Sequence, residues 1–582
     1  MALNAARVVG LVRAMGLLAA YVGAVTWITW PLGGSMSEAI HGAGAFFITD
    51  ALYSIWAMGW SSHALLTAPT TLGQAGIYHP TPDALFYGPS ALGATLLFAP
   101  VVWATNDPVL ATNVVYMGGI ALTAWTAHLV VRSWTGSDLA GVVAATTILT
   151  NAWLVRDFVA ATPHIAALQF LPLIAWAALP PMSRLREAAR LVPLIVLQSL
   201  TDVVYVAPAV FAVLGTLATL RLVRPSTRRA GLRLVGALGI AAVMLLPLYA
   251  AYRQVRLANP DIAKQSVYPT KVFPQTLPEE FVDRRRGPAV FLPATLVLIG
   301  LGLVAIAMRP PAPATRRMWG HAALWTAVGM LISLGPRVFW RGYALPVPQQ
   351  LVADVYTHLR VPARLGVVAM VGAALLAGLA FAALSRWFEV LGAGRRVVPS
   401  LSRLALAVVV VVALVAGWGS TPLGAFPITS LPRPADTTIG FLRMVRGPVL
   451  ETPVPFEFMQ ALAMFDALFH VHPVLNGYSS YYPAAFPARM ALARQLPDAG
   501  ALTRLRDETG LAGIWLHLDR VPLDQREAWL GIATSGRRDL LQIGRSGTDI
   551  VFLVRGGSAP ANAPVVELPR LDGVPLDHVE PR

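Results

Sequence analysis

Runs of apolar residues long enough to cross a bilayer recur along most of this chain, and they limit its fold more sharply than any other feature. They fall at about 8–30, 108–131, 138–154, 165–180, 191–201, 203–222, 234–252, 289–308, 319–335, 364–385 and 404–421. A helix rises about 1.5 Å per residue, so about 20 apolar residues span the hydrocarbon core. Every backbone N–H and C=O in that core needs an internal partner, which makes such runs helical. Charged residues are 13% of the 582 positions and hydrophobic ones 56%, and the mean hydropathy is +0.60. Soluble domains carry about 25% charged residues. The expected fold is mainly α: a polytopic membrane protein of about eleven transmembrane helices. Around Leu200-Thr201-Asp202 two short runs meet, as a helical hairpin or as one kinked span.

The net charge of +15 does not point to nucleic acid, because many arginines cluster in short loops between the runs. Arg184, Arg186 and Arg190 form one cluster, and Arg221, Arg224, Arg228, Arg229 and Arg233 the densest. Arg309, Arg316 and Arg317 form another, and Arg386, Arg395, Arg396 and Arg403 the last. Cytoplasmic loops carry such an excess, and an even number of runs separates successive clusters. The N-terminus is then cytoplasmic. Arg7 and Arg13, with no small-residue cleavage site after the first run, read as an uncleaved signal anchor. Cysteine is absent, which excludes disulfides, thiol nucleophiles and thiolate metal sites.

On this map 31–106 is one long extracytoplasmic loop that hugs the membrane. Ser90 to Trp103, bracketed by Pro89 and Pro100, is apolar but short, as a re-entrant or interfacial helix is. Asp50 to Leu66 is too polar to cross, and Trp56, Trp60 and His63 suit a helix in the headgroup zone. The chain thus divides into a transmembrane domain, 1–421, and an extracytoplasmic α/β domain, 422–582. In the latter, Val449–Glu451, Gly513–Leu518 and Ile550–Val554 read as strands. Phe456–Phe469 and Asp524–Ala533 read as helices, and the Pro-rich tail from Gly556 as loose.

Asp50 is the first candidate for chemistry. It is the only carboxylate between Glu38 and Asp83, and no Lys or Arg occurs from Ala14 to Val131. A carboxylate at the lipid–water boundary can act as a general base, or Asp50 can simply cap the N-terminus of a helix. A helix starting at Asp50 would carry Tyr53, Ser54 and Ala57 on its face. The turn Ile77-Tyr78-His79-Pro80-Thr81-Pro82-Asp83 would bring His79 and Asp83 to the same rim, or is only a loop. Two outer loops are basic against the topological trend. One holds Arg253, Arg256, Lys264, Lys271, Arg284, Arg285 and Arg286, and the other Arg337, Arg341, Arg360 and Arg364. Arginine forks match phosphate oxygens, although headgroups or nearby acids are alternative partners. Arg156-Asp157 and His164 lie at the outer ends of two spans, where ionisable groups are functional candidates. Asn476-Gly477-Tyr478 reads as a turn or, with Tyr481 and Tyr482, as a carbohydrate contact. No Walker A lysine, H-E-x-x-H, G-x-S-x-G or dinucleotide fingerprint occurs.

The layout resembles the GT-C superfamily of polytopic glycosyltransferases, in particular bacterial YfhO-like members. The resemblance runs through Asp50-Ala51-Leu52-Tyr53-Ser54-Ile55-Trp56-Ala57-Met58-Gly59-Trp60-Ser61-Ser62-His63, Ile77 to Pro82 and Arg360-Val361-Pro362-Ala363-Arg364. It continues in Val449 to Pro453 and His472 to Ser479. It implies a bacterial inner-membrane enzyme that takes a sugar from a polyprenyl-phosphate carrier and passes it to a glycan, lipid or protein outside the cytoplasm. Asp50 would be the base of an inverting displacement. Arg360 and Arg364, with Arg337 or Arg341, would bind the departing phosphate, and Tyr53, His79, Asp83, His164 and Tyr478 would line the acceptor side. Ala51 stands where relatives have a second acid, and His164 where many have Asp, so no divalent metal is expected at Asp50. A non-catalytic assembly or export partner on the same scaffold, or a flippase of lipid-linked sugars, are the alternatives.

Overall fold

The computed structural model describes residues 2–42, 45–157, 162–260, 289–336, 338–340, 343–356, 359, 361–391, 399–417, 426–455, 460–533 and 537–556. The chain divides into two compact units. Unit 1 comprises Met1–Gly59, Pro89–Gln254 and Tyr268–Pro432, and unit 2 Trp60–Gly88, Val255–Val267 and Arg433–Arg582.

Unit 1 is mainly helical. Among the described residues, five helices are long and apolar enough to cross a membrane: Val8–Ile28, Pro108–Thr135, Val206–Val223, Pro225–Ala258 and Pro362–Glu389. The other expected runs hold shorter helices, apart from 319–335, which lies in the 21-residue helix Pro313–Ser333. The run at 138–154 stops being α-helical at Leu149 and closes with a π-type turn at Trp153–Asp157. The run at 165–180 opens as a 3-10 turn, Pro163–Ala166, before the helix Phe170–Ala178. The ambiguity near Asp202 resolves into two helices, Leu191–Ser199 and Val206–Val223, packed on each other. Asp202 Oδ1 accepts from the backbone N–H groups of Val204 and Tyr205 at 2.7 and 2.9 Å, which is what stops the two from merging.

The helix Val367–Leu391 is the axis of this unit. Every residue from Val367 to Ser385 is buried, and the helix packs on Asp138–Leu149, Pro293–Met308 and Pro313–Ser333. Small residues allow the approach: a Cβ at Gly372 would lie 2.5 Å from the Thr326 nitrogen, and one at Gly329 2.4 Å from the Ala369 nitrogen. Such crossings are how helices associate where no hydrophobic drive separates them from lipid. Other helices turn apolar side chains outward. Val8, Val9, Leu11 and Val12 are exposed on the first, and Leu232, Val235, Ile240 and Val243 on Arg228–Ala258. Stripes of this kind suit a hydrocarbon solvent rather than water. The basic loops also close helix ends, since Arg221 Nη2 donates to the carbonyls of Ala178 and Leu179 at 2.6 and 3.2 Å.

Four local expectations are corrected. The helix around Asp50 runs Ala45–Thr67, so Asp50 lies in its second turn and cannot be its N-cap. Residues Ala51 to Met58 are all buried, so the helix is enclosed by protein rather than lying half in lipid. Pro100 lies inside the helix Leu92–Thr105 rather than ending it. Arg253 and Arg256 belong to the helix Arg228–Ala258, not to a loop. Lys264, Lys271 and Arg284 to Arg286 lie outside the described residues.

Unit 2 contains a four-stranded sheet. Its strands are β1 (Val449–Thr452), β2 (Gly513–His517), β3 (Leu540–Ser546) and β4 (Asp549–Val554), in the order β1-β2-β4-β3. β1 and β2 are parallel and the other pairs antiparallel. Sequence reading anticipates β1, β2 and β4 but not β3, an edge strand with a register shift between Gln542 and Gly544. The expected helices occur as Ala461–His470 and Leu523–Leu530. Glu451 pairs with Trp515, and His517 with Asp549. Side chains alternate along a strand, so Glu451, Trp515, His517 and Asp549 share one face. Val449, Trp515 and Val551 on that face pack with Ile439, Leu442 and Val445.

Candidate functional site

In unit 1 several of the anticipated residues meet in one buried polar cluster. The Pro362–Gly366 turn supplies Arg364. Pro362 keeps Val361 out of the helical region and fixes the first position of the turn. Arg364 is only 7% exposed, and its guanidinium carbon lies 5.0 Å from the centre of the Tyr205 ring, a cation–π arrangement. The Tyr205 hydroxyl accepts from the Val361 N–H at 3.2 Å, which ties the turn to the start of Val206–Val223. The charge of Arg364 acts on both His164 and Asp202, and both of those side chains are buried.

The helix Ala45–Thr67 reaches the same cluster through Ser54. Its hydroxyl lies 3.0 Å from His164 Nδ1 and donates to the Asp50 carbonyl at 2.9 Å. The other imidazole nitrogen, Nε2, has no hydrogen-bond partner among the described residues, and neither does Asp202 Oδ2. Tyr53 donates to the Pro89 carbonyl at 3.1 Å, and the next residue, Ser90, gives its N–H to the Tyr252 hydroxyl at 3.0 Å. Tyr249, one turn before Tyr252, donates to the Val203 carbonyl at 2.8 Å. Asp50 is half-buried, one turn N-terminal to Ser54. Sequence reading did not anticipate Tyr205, Tyr249 or Tyr252 here; it named Ser54 only as a residue on the face of the Asp50 helix, and Asp202 only at the junction of two apolar runs.

The remaining candidates lie elsewhere. Arg337, Arg341 and Arg360 are outside the described residues, as is the Asp157 side chain. His79, Asp83 and Tyr478 belong to unit 2. The His79 N–H donates to the Val474 carbonyl at 3.1 Å. Burial lowers its imidazole to about 4, against a hydrogen bond to the Thr509 backbone and with help from the Arg489 charge. Asp83 Oδ1 accepts from Gln74 Nε2 at 3.2 Å. Tyr478 is 4% exposed, so its ring offers no face for stacking on a sugar. Asn476 holds the Glu451 backbone through two hydrogen bonds of 2.8 and 3.0 Å, a structural use of the turn.

A small pocket of about 20 Å³ in unit 1 is lined by Thr147, Asn151, Trp153, Val290, Phe291 and Met370 among others, and by none of the anticipated site residues. Among the described residues, the donor set close enough to hold a cation is Glu451, Asp466 and His517 in unit 2.

No family model matches the chain, and no curated protein does. Two solved structures are similar at low identity. One is ArnT from Cupriavidus metallidurans bound to undecaprenyl phosphate, with 12% identity, TM-score 0.48, and coverage of 93% of this chain and 97% of that one. The other is the archaeal oligosaccharyltransferase AglB from Archaeoglobus fulgidus in complex with an inhibitory peptide and a dolichol-phosphate, with 12% identity, TM-score 0.45, and coverage of 87% and 69%. At that identity and TM-score they assign neither family nor activity to this chain.

Proposed function

We propose that the chain is a multi-pass membrane glycosyltransferase that moves a sugar from a polyprenyl-phosphate carrier to an extracytoplasmic acceptor. The observation that carries this reading is the buried Arg364 guanidinium, stacked on Tyr205 and set beside His164 and Asp202. A desolvated guanidinium interacts with an anion far more strongly than an exposed one, and its fork suits phosphate. The GT-C resemblance of the Asp50 and Arg364 segments supports the same assignment.

In this reading Asp50 takes the proton from the acceptor hydroxyl. The acceptor oxygen then bonds to the anomeric carbon as the bond from that carbon to the phosphate oxygen breaks, with inversion. The electron pair leaves with the polyprenyl phosphate, and Arg364 stabilises the charge developing there. Arg360, with Arg337 or Arg341, completes the phosphate site, and Tyr53 and His164 flank the acceptor path. General-base catalysis contributes about 10²–10⁴-fold. Asp50→Asn should therefore lower transfer from radiolabelled lipid-linked sugars by at least about a hundredfold in membranes holding wild-type amounts of protein. Unchanged transfer would remove Asp50 from this role. Movement of labelled lipid across vesicles without cleavage of the glycosidic bond would make the chain a flippase instead.

A further inference from the structure

Unit 2 holds a second group of ionisable residues, which the proposed transfer does not use. Glu451 on β1, His517 on β2 and Asp466 on the helix Ala461–His470 bring one donor atom each to within 4.8 Å of one another. All three are at least nine-tenths buried. His517 Nε2 lies 2.9 Å from Glu451 Oε1, and His517 Nδ1 lies 2.8 Å from Asp549 Oδ1. Glu451 Oε2 is buried with no hydrogen-bond partner among the described residues. Asp466 is 5% exposed, and one of its carboxylate oxygens lies close to the other two donors.

We propose that Glu451, Asp466 and His517 form a binding site for a divalent first-row transition ion, Zn²⁺ or Mn²⁺, that fastens the helix Ala461–His470 to the sheet. A buried carboxylate oxygen left without a partner costs several kcal/mol unless it is neutralised or coordinated, and Glu451 Oε2, beside the buried Asp466, has that need. Bonds from such ions to His nitrogen and carboxylate oxygen are about 2.0–2.2 Å, so two ligands at right angles sit about 3 Å apart. The Nε2 to Oε1 spacing of 2.9 Å meets that condition with little movement.

Asp549 has the place of a supporting carboxylate. It accepts from Nδ1, fixes the tautomer, and leaves Nε2 to face the ion. The Glu451 backbone is held in turn by the Asn476 amide. One imidazole with two carboxylates suits Zn²⁺ or Mn²⁺ better than Ca²⁺ or Mg²⁺, which take all-oxygen shells. Arg520 Nη1 lies 3.7 Å from Glu451 Oε1. Its side chain is about half exposed and can swing into solvent as the ion enters.

Without an ion the group satisfies itself with protons. Burial, and then the charge of Glu451, push the Asp466 carboxyl well up. Burial alone would lower His517, but its hydrogen bonds to Asp549 and Glu451 outweigh that and hold it at about 9. The ion replaces the Nε2–H···Oε1 hydrogen bond.

The test uses the full chain in detergent, stripped by a chelator and titrated with Mn²⁺ while the free-ion paramagnetic resonance signal is followed. The expected result is one saturable site per chain, competed by Zn²⁺ and not by Mg²⁺. Asp466→Asn should weaken it at least tenfold, and Asp549→Asn about tenfold or more. Asp466→Asn keeps the side-chain shape and is uncharged like the protonated carboxyl of the ion-free site, so its thermal unfolding midpoint without ion should stay close to that of wild type. Loss of binding in that variant is then not loss of fold. Added Zn²⁺ should raise the midpoint of the wild type and not of Asp466→Asn. The absence of saturable binding, or equal binding by wild type and Asp466→Asn, would overturn the site.

Discussion

Ser54 Oγ stands 3.0 Å from His164 Nδ1, 110 residues away in sequence, while its own hydrogen goes to the Asp50 carbonyl. One hydroxyl hydrogen cannot serve both partners, so Nδ1 is the donor to Ser54 and Nε2 keeps its lone pair. The imidazole is thereby set in one tautomer by a residue one turn from Asp50. Ser54→Ala would remove two hydrogen bonds and leave a buried N–H unpaired, at a cost of about 1–3 kcal/mol. A lowered thermal unfolding midpoint, with Ser54→Thr closer to wild type than Ser54→Ala, is the expected outcome.

Arg364 and Tyr205 make a separable prediction. Arg364→Lys keeps the charge but loses both the flat face over the ring and the fork. Transfer should fall about 10- to 100-fold in Arg364→Lys and about 100- to 1000-fold in Arg364→Gln. The loss should appear as a changed dependence on the concentration of lipid-phosphate donor, with acceptor dependence unaltered. A loss confined to the acceptor would mean that the guanidinium serves the other substrate.

Gly477 is a third case. A Cβ there would lie 2.3 Å from Tyr78 Cε1, and the Tyr78 ring is fully enclosed, with its hydroxyl on Ser479 Oγ at 3.1 Å. Gly477→Ala should destabilise unit 2 by about 1–3 kcal/mol. In a Tyr78→Ala background the same change should cost much less, a non-additivity that thermal or chemical unfolding of the double-mutant cycle would reveal.

His79 carries a pH dependence with a defined sign. Its imidazole is near 6.5 when unfolded and is held at about 4 when folded, so the unfolded chain binds the extra proton between these values. Its contribution to stability is complete above pH 6.5 and is lost as pH falls towards 4, at no more than about 1.4 kcal/mol per pH unit. The unfolding midpoint of His79→Asn, compared with wild type, should be offset by a constant above pH 7. The gap should shift in favour of the variant on acidification.

The apolar runs were legible because burial in lipid leaves only one pattern, and strands β1, β2 and β4 because their β-branched runs are short and bounded. β3 was not, since Gln542, Gly544 and Arg545 break the alternation where an edge strand bulges. The start of the helix around Asp50 was misread because Asp is a favoured cap. The chain upstream, from Ala45, is equally able to be helical, and the enclosing protein rather than the residue type decides the boundary. Arg364 was legible from its place between a loop and an apolar run, but its partners were not. Tyr205, His164 and Asp202 come from separate turns, and no local spacing announces them. Glu451, Asp466 and His517 illustrate the same limit. Their intervals fit no ligand motif; the register of β1 against β2 puts Glu451 and His517 on one face, and the helix Ala461–His470 brings Asp466 to them.

The helix Val367–Leu391, buried from Val367 to Ser385, follows in the sequence the three helices on which it packs. Its neighbours Asp138–Leu149, Pro293–Met308 and Pro313–Ser333 leave the ribosome before the element they surround exists. In sequence order the bundle therefore closes only once this helix has arrived. A bulky residue at Gly372 or Gly329 would meet the backbone or side chains of its neighbour and hinder that closure.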